Sequence, residues 1–255
     1  MRVIAGEAKG FHLKGPAGSF TRPMADKIKG ALFSMLASLD VEPRRVLDLY
    51  AGTGSVGIEA LSRGAVHGEF IEQNAAAAAV VRANLQHTKF ADRAEVHHTP
   101  VASFLSYAEQ RAKNGNPLEP FDLVIMDPPY ADPEIPIILR RVGMSPLVQS
   151  GSVVALGHSP RVALADETGR LRRLKHRCHG DSCFSIYEVV DEVVPDEPAA
   201  FGGTERDATG DLSGKFRPDH DRPSRRRAAS SEAVRRGGGG RVRGGGQTWR
   251  SLLDE

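Results

Sequence analysis

The stretch Val46-Leu47-Asp48-Leu49-Tyr50-Ala51-Gly52-Thr53-Gly54-Ser55-Val56-Gly57 decides the fold. Val46–Leu49 is a short apolar run that reads as a buried strand, and Val56–Arg63 reads as a helix. Between them Gly52, Gly54 and Gly57 spell G-x-G-x-x-G, the spacing that lets a backbone turn tightly and approach a ligand at a helix start. An ordinary strand-to-helix turn shows the same glycines, so the loop alone does not name its ligand. Asp48, at the strand end, narrows the choice. A carboxylate there repels a pyrophosphate by like charge, which disfavours a nicotinamide dehydrogenase.

The alternation of strand and helix extends outward from this loop. Downstream, Phe70–Ile71 ends a second strand, Ala75–Leu85 is an Ala-rich helix, Ala94–His97 a strand and Ala102–Ala112 a helix. Phe121–Met126 is a buried strand and Ile135–Val142 a helix, and Val153–Leu156, Leu171–Cys178 and Cys183–Val190 close the series as strands. Upstream, Arg2–Ala5 and Phe11–Leu13 flank Gly6 and Gly10 as a short hairpin. After Arg22-Pro23, the positions Ile28, Ala31, Leu32, Met35, Leu36 and Leu39 put one apolar face on a helix. The pattern predicts an α/β fold. Its mostly parallel sheet is covered on both faces, with ligands at the carboxyl ends of the strands.

A ligand that carries an ammonium group and a sulfonium suits Asp48, and S-adenosylmethionine has both. Glu72 ends the second strand 20 residues after Gly52, the spacing at which an acidic side chain accepts hydrogen bonds from a ribose diol. The tetrapeptide Asp127-Pro128-Pro129-Tyr130 then follows a buried strand. Pro128 and Pro129 fix φ and remove two backbone donors, so the loop is stiff. The Asp127 carboxylate and the Pro128 carbonyl together accept the two hydrogens of an exocyclic amino group. That pairing turns the nitrogen lone pair toward an electrophile and stabilises the positive charge that develops. Tyr130 offers a stacking face, a contact worth about 1–3 kcal/mol per base. No metal or covalent intermediate is needed, because a methyl group on a sulfonium is already activated.

The composition bounds the rest. Of 255 residues, 26% are charged and 40% hydrophobic, with two cysteines and a formal net charge of +2. Two cysteines exclude a small disulfide-built secreted fold. No apolar run approaches a membrane span or the core of a signal peptide, so the expected compartment is the reducing cytoplasm. Charge is polarised along the tail: residues 191–221 sum to −6 and residues 222–250 to +8. Four prolines and two glycine runs leave this segment unable to bury enough apolar surface to order itself. The expected division is a domain over 1–194 and a disordered tail over 195–255, whose Arg235-Arg236-Gly237 to Gly246 stretch resembles RGG-type RNA-binding chains.

Taken together these motifs resemble the small-subunit (16S) ribosomal RNA guanine-N2 methyltransferases, the RsmD family. The resemblance covers about residues 2–190. It rests on Arg2-Val3-Ile4-Ala5-Gly6 with Lys9-Gly10, Thr21-Arg22-Pro23 with Asp26, Leu32-Phe33, Leu47 to Gly54, Glu59 to Ala65, Asp127 to Tyr130 and Gly180-Asp181-Ser182. It implies a Rossmann-like class I methyltransferase sheet of seven strands, the seventh antiparallel, with S-adenosylmethionine as cofactor. It implies Asp48, Tyr50, Gly52, Gly54, Glu72 and Asp127 as cofactor contacts, and Asp127, Pro128, Pro129 and Tyr130 as the catalytic loop. Three departures stand out: Met24-Ala25 in place of the usual Thr-Thr, Lys29-Gly30 in place of Arg-Glu, and Pro100 in place of an acidic or amide residue after the third strand. With Pro100 there, an adenine contact falls to the Val101 backbone N–H.

On the substrate side, Arg2, Lys9, Lys14 and Arg22, with Lys27 and Lys29, form a candidate surface for RNA phosphates, and Asp181 either lines a base pocket or makes a turn. An amino group inside a duplex is out of reach, so the target base is unpaired or flipped out. Cys178 and Cys183 offer too few ligands for zinc, and strand alternation argues against convergence of His176 and His179 on them. His97 and His98 read as strand-end surface. The expected partner is 16S ribosomal RNA or a small-subunit assembly intermediate, bound by a monomer. Two rivals remain: an adenine-N6 DNA methyltransferase using the same tetrapeptide, and a non-catalytic RNA-binding assembly factor.

Overall fold

The computed structural model describes residues 1–15, 26–129 and 132–194. Arg22, Tyr130 and the tail after Val194 lie outside the described residues. Seven strands form one sheet: β1 (Arg45–Asp48), β2 (His67–Glu72), β3 (Ala94–His98), β4 (Leu123–Met126), β5 (Val153–His158), β6 (Glu167–His179) and β7 (Ser182–Val194). Their order is β3-β2-β1-β4-β5-β7-β6. The first five run parallel, and β7 enters antiparallel between β5 and β6. The expected seventh antiparallel strand is therefore present, and the chain reverses strand order at β1, where a doubly wound sheet opens its ligand crevice.

Helices cover both faces. Leu32, Phe33, Met35 and Leu36 of α1 (Asp26–Ala37) join residues of α2 (Ser55–Ser62) and α3 (Ala75–Thr88) over Val46, Phe70, Ile125 and Phe184. Phe104 and Leu105 of α4 (Val101–Lys113) join Ile138 and Leu139 of α5 (Ile135–Met144) over Leu47, Ile71, Val124 and Tyr187 on the other face. Full burial of β4, whose four residues are all apolar, follows from this double cover. Among the described residues no helix is long and apolar enough to cross a membrane.

The N-terminal hairpin forms as expected, with Val3 donating to Phe11, Gly10 to Val3 and an isolated bridge between Arg2 and His12. Two sequence readings need correction. Lys29 is not part of a phosphate surface. It is fully buried, 3.3 Å from Glu59, because it shares the helical stripe of Leu32, Phe33 and Leu36. His97 is not surface either. Its ring packs beside Phe104 and its Nε2 lies 3.0 Å from Glu69 Oε2. Burial alone would raise the Glu69 carboxyl, but hydrogen bonds from His67 and His97 hold it down at about 2.

Candidate active site

Strand register builds the site. Asp48 lies opposite Phe70 of β2 and Ile125 of β4. Glu72 stands two residues beyond Phe70 and Asp127 two beyond Ile125, so strand alternation sends all three carboxylates to one face of the sheet's carboxyl edge. Ile125 pairs with Ala155, which puts Gly157 of β5 at the next place in the same row. A Cβ at Gly157 would come within 2.5 Å of Asp127 Oδ1 and 3.3 Å of Phe184, so the bare backbone there makes room for the carboxylate.

The glycine loop is tied to this row. Glu72 Oε2 accepts from Gly52 N–H at 2.8 Å, and its Oε1 accepts from Asn74 N–H at 2.7 Å. Asn74 in turn caps α3 by accepting from Ala77 N–H. Asp48 Oδ2 accepts from Gly57 N–H at 3.1 Å, in the first turn of α2. A side chain at Gly57 would meet the Phe70 ring at 2.4 Å, so this third glycine serves helix–sheet packing.

The electrostatics of the row are unusual. Burial pushes the Asp48 carboxyl up to about 7, and the charges of Asp127 and Glu72 add to the shift against the Gly57 N–H. Burial pushes Asp127 up to about 6. Among the described residues no Lys or Arg pairs with either. Three carboxylates thus converge without a cation, an arrangement that becomes comfortable when a positively charged ligand arrives.

The other expected residues divide. Tyr50 stands at the same edge but packs on the α4–α5 side, where burial, then Asp132 and Glu134, raise its phenol to about 12. Val101 opens α4, and Pro100 supplies no side-chain cap. Pro128 is buried and Pro129 exposed, and the Pro129 carbonyl accepts from Asp132 N–H at 2.9 Å, closing the loop on itself. Arg2 is exposed and paired with Asp26 at 3.5 Å. Lys9 and Lys14 are exposed, and the Lys14 backbone exchanges hydrogen bonds with the Asn84 amide. Asp181 is exposed in the two-residue turn between β6 and β7.

Sequence reasoning missed Gly157 and the clamp beneath the hairpin. Glu59 accepts from Ile4 and Ala5 N–H at 2.7 and 3.0 Å while pairing with Lys29 and Arg63. Lys29 also donates to the Arg2 carbonyl at 2.8 Å. Met1 lies at Thr53 of the glycine loop, so the clamp fixes the N-terminal segment beside the site. The available signal was a Glu within the otherwise apolar run Val56–Leu61.

The fold and the carboxyl-edge site define a class I, S-adenosylmethionine-dependent type of methyltransferase. The fold matches the solved Escherichia coli protein yhhF, described as a methyltransferase, with TM-score 0.64 and 24% identity over 75% of this chain and 99% of that one. The family described as "Conserved hypothetical protein 95" matches residues 1–188, and the chain belongs to that family. It is 31% identical to YlbH of Bacillus subtilis, named as an rRNA methyltransferase, over 74% of this chain and 98% of that protein. It is 35% identical to ribosomal RNA small subunit methyltransferase D of Escherichia coli, over 51% of this chain and 60% of that protein.

Proposed function

We infer that the protein transfers a methyl group from S-adenosylmethionine to the exocyclic N2 of a guanine in small-subunit (16S) ribosomal RNA. The observation that carries this reading is the uncompensated carboxylate row, Glu72, Asp48 and Asp127, set beside a glycine loop and ending at Pro128. One relative named as an rRNA methyltransferase and one named as ribosomal RNA small subunit methyltransferase D support the substrate class. When bound, the cofactor supplies an electrophilic methyl carbon on a cationic sulfur.

This chain's residues do the rest. Asp48 and Glu72 face the cationic and ribose parts of the cofactor, Gly52 and Gly54 bring the backbone close to it, and Val101 N–H faces the base. Tyr50 closes the edge on the α5 side. Asp127 in its ionised form and the Pro128 carbonyl hold the two hydrogens of the guanine amino group and aim its lone pair. Pro129 stiffens the loop that presents Tyr130 as a stacking face. Arg2, Lys9, Lys14 and Arg22 lead RNA phosphates toward the edge, with Asp181 at the facing turn. The partner is 16S ribosomal RNA or an assembly intermediate that contains it, and the protein acts as a cytoplasmic monomer.

The test is mass-spectrometric mapping of modified guanines in ribosomal RNA from a strain lacking the gene, together with labelled-methyl transfer to ribosomal RNA and to duplex DNA. Loss of one N2-methylguanine from 16S RNA, restored by the parental protein but not by Asp127→Ala, is the expected outcome. An unchanged 16S RNA with methyl transfer to adenine in DNA contradicts it.

A further inference from the structure

The β6–β7 tip carries a constellation that methyl transfer does not use. Cys178 and Cys183 lie opposite each other in the ladder, with Cα atoms 4.0 Å apart, and are joined as a disulfide. His176 shares the face of Cys178, two residues earlier. Its Nε2 is 3.3 Å from Cys178 Sγ, and the three ligand atoms all lie within 4.8 Å of one another. Alternation removes His179 from this group but retains His176.

The hydrogen-bond wiring fixes which His176 nitrogen is free. His158 Nδ1 faces the Ser159 carbonyl at 2.8 Å, and a carbonyl only accepts, so Nδ1 carries the proton. His158 Nε2 is then an acceptor, and Ser185 donates its hydroxyl to it at 3.0 Å. The Ser185 oxygen, its proton committed, accepts from His176 Nδ1–H at 3.0 Å. His176 Nε2 is left with a bare lone pair aimed at sulfur. A ring whose second nitrogen donates to an orienting partner is how proteins prepare a histidine to ligate a metal. In the disulfide form that lone pair meets another acceptor.

We propose that, once the Cys178–Cys183 bond is reduced, Cys178, Cys183 and His176 form a binding site for a thiophilic divalent cation of the zinc class. Two thiolates and one imidazole are three ligands of a tetrahedral site, and the fourth position is left for water. Nitrogen and sulfur ligands of one zinc stand about 3.6 Å apart, close to the existing 3.3 Å. The two sulfurs separate to about 3.8 Å by rotation about their Cα–Cβ bonds, across a turn of only two residues. Cys178 and His176 are exposed, so the ion enters from solvent, while Cys183 is buried and anchors the site. The metal then takes the place of the disulfide as the cross-strand tie.

The test uses the full chain and does not depend on methyltransferase activity. A water-soluble phosphine, oxidised to its oxide with oxygen taken from water, reduces the disulfide to two thiols, and a thiol count confirms two per chain. Cobalt(II) is then titrated in. The expected result is one cobalt per chain with thiolate-to-cobalt charge-transfer absorption, two protons released, and displacement of cobalt by zinc(II). These two cysteines are the chain's only sulfhydryls, so the band reports on this site alone. Cys178→Ser, an exposed change, abolishes the band, and His176→Gln weakens binding at least about tenfold. Ser185→Ala, which frees the ring, weakens it about 10–100-fold. Two counted thiols without a charge-transfer band overturn the proposal. So does a band with half a cobalt per chain, which means two chains share the ion, or one indifferent to His176→Gln.

Discussion

Two groups of charged side chains, each built around a buried member, sit on one side of the sheet, and they differ in one respect. Lys29 and Glu59 are both fully buried and paired with each other, exposed Arg63 adds a second partner to Glu59, and Glu59 also accepts from two backbone N–H groups. Glu72 and Asp48 accept from backbone N–H groups, and among the described residues no Lys or Arg pairs with Glu72, Asp48 or Asp127. The first group is complete and ties α1, α2 and the N-terminal hairpin together. The second is complete only with a ligand. Buried charge that is already paired marks a scaffold, and buried charge of one sign marks a place where something binds.

Breaking the complete group has the largest expected effect. Lys29→Met leaves Glu59 short of its buried partner and lowers stability by about 3–5 kcal/mol in denaturant unfolding. Asp127→Ala, in the incomplete group, leaves stability and cofactor affinity near the parental values but lowers methyl transfer about 10²–10³-fold in a labelled-methyl assay. Gly157→Ala sharpens the point. Its Cβ displaces the Asp127 carboxylate without removing it, and turnover falls by up to about 10²-fold with cofactor affinity unchanged. Asp48→Asn weakens cofactor binding about tenfold by calorimetry, a loss near 1.4 kcal/mol.

A smaller effect is a matter of pH. Both raised carboxyls bind protons more tightly in the folded than in the unfolded chain, whose carboxyls titrate near 3.8. The ligand-free protein therefore loses stability as pH rises from about 4 to about 7. Asp48→Asn removes the upper part of that slope, which thermal unfolding across this range measures.

The two groups were not equally legible. The glycine loop and Asp127-Pro128-Pro129 announce themselves locally, because their residue types force a turn wherever they stand. That Glu72, Asp48 and Asp127 share one face is a property of register, which a linear sequence does not display until the strands are paired. Gly157 was invisible for the same reason, since it matters only as the neighbour of Asp127 across β4 and β5. Lys29 was misplaced because its charge argued for solvent, while its position in the stripe of Leu32, Phe33 and Leu36 carried it inside. Ile28 packs against the core as its place in the apolar face requires, and with Ala31 it also lines a cleft with His179 and Gly180. His97 was likewise assigned by its place at a strand end, and the Glu69 carboxylate beneath it decides otherwise.

Asp48 is held protonated in part until a cationic ligand ionises it. Calorimetric titration with S-adenosylmethionine at several pH values, in buffers of different ionisation enthalpy, tests this directly. Binding is expected to be at least about tenfold tighter at pH 7 than at pH 5, with protons released on binding and the dependence flattened in Asp48→Asn. An affinity that is flat over that range, or a parental protein that releases no protons, contradicts it.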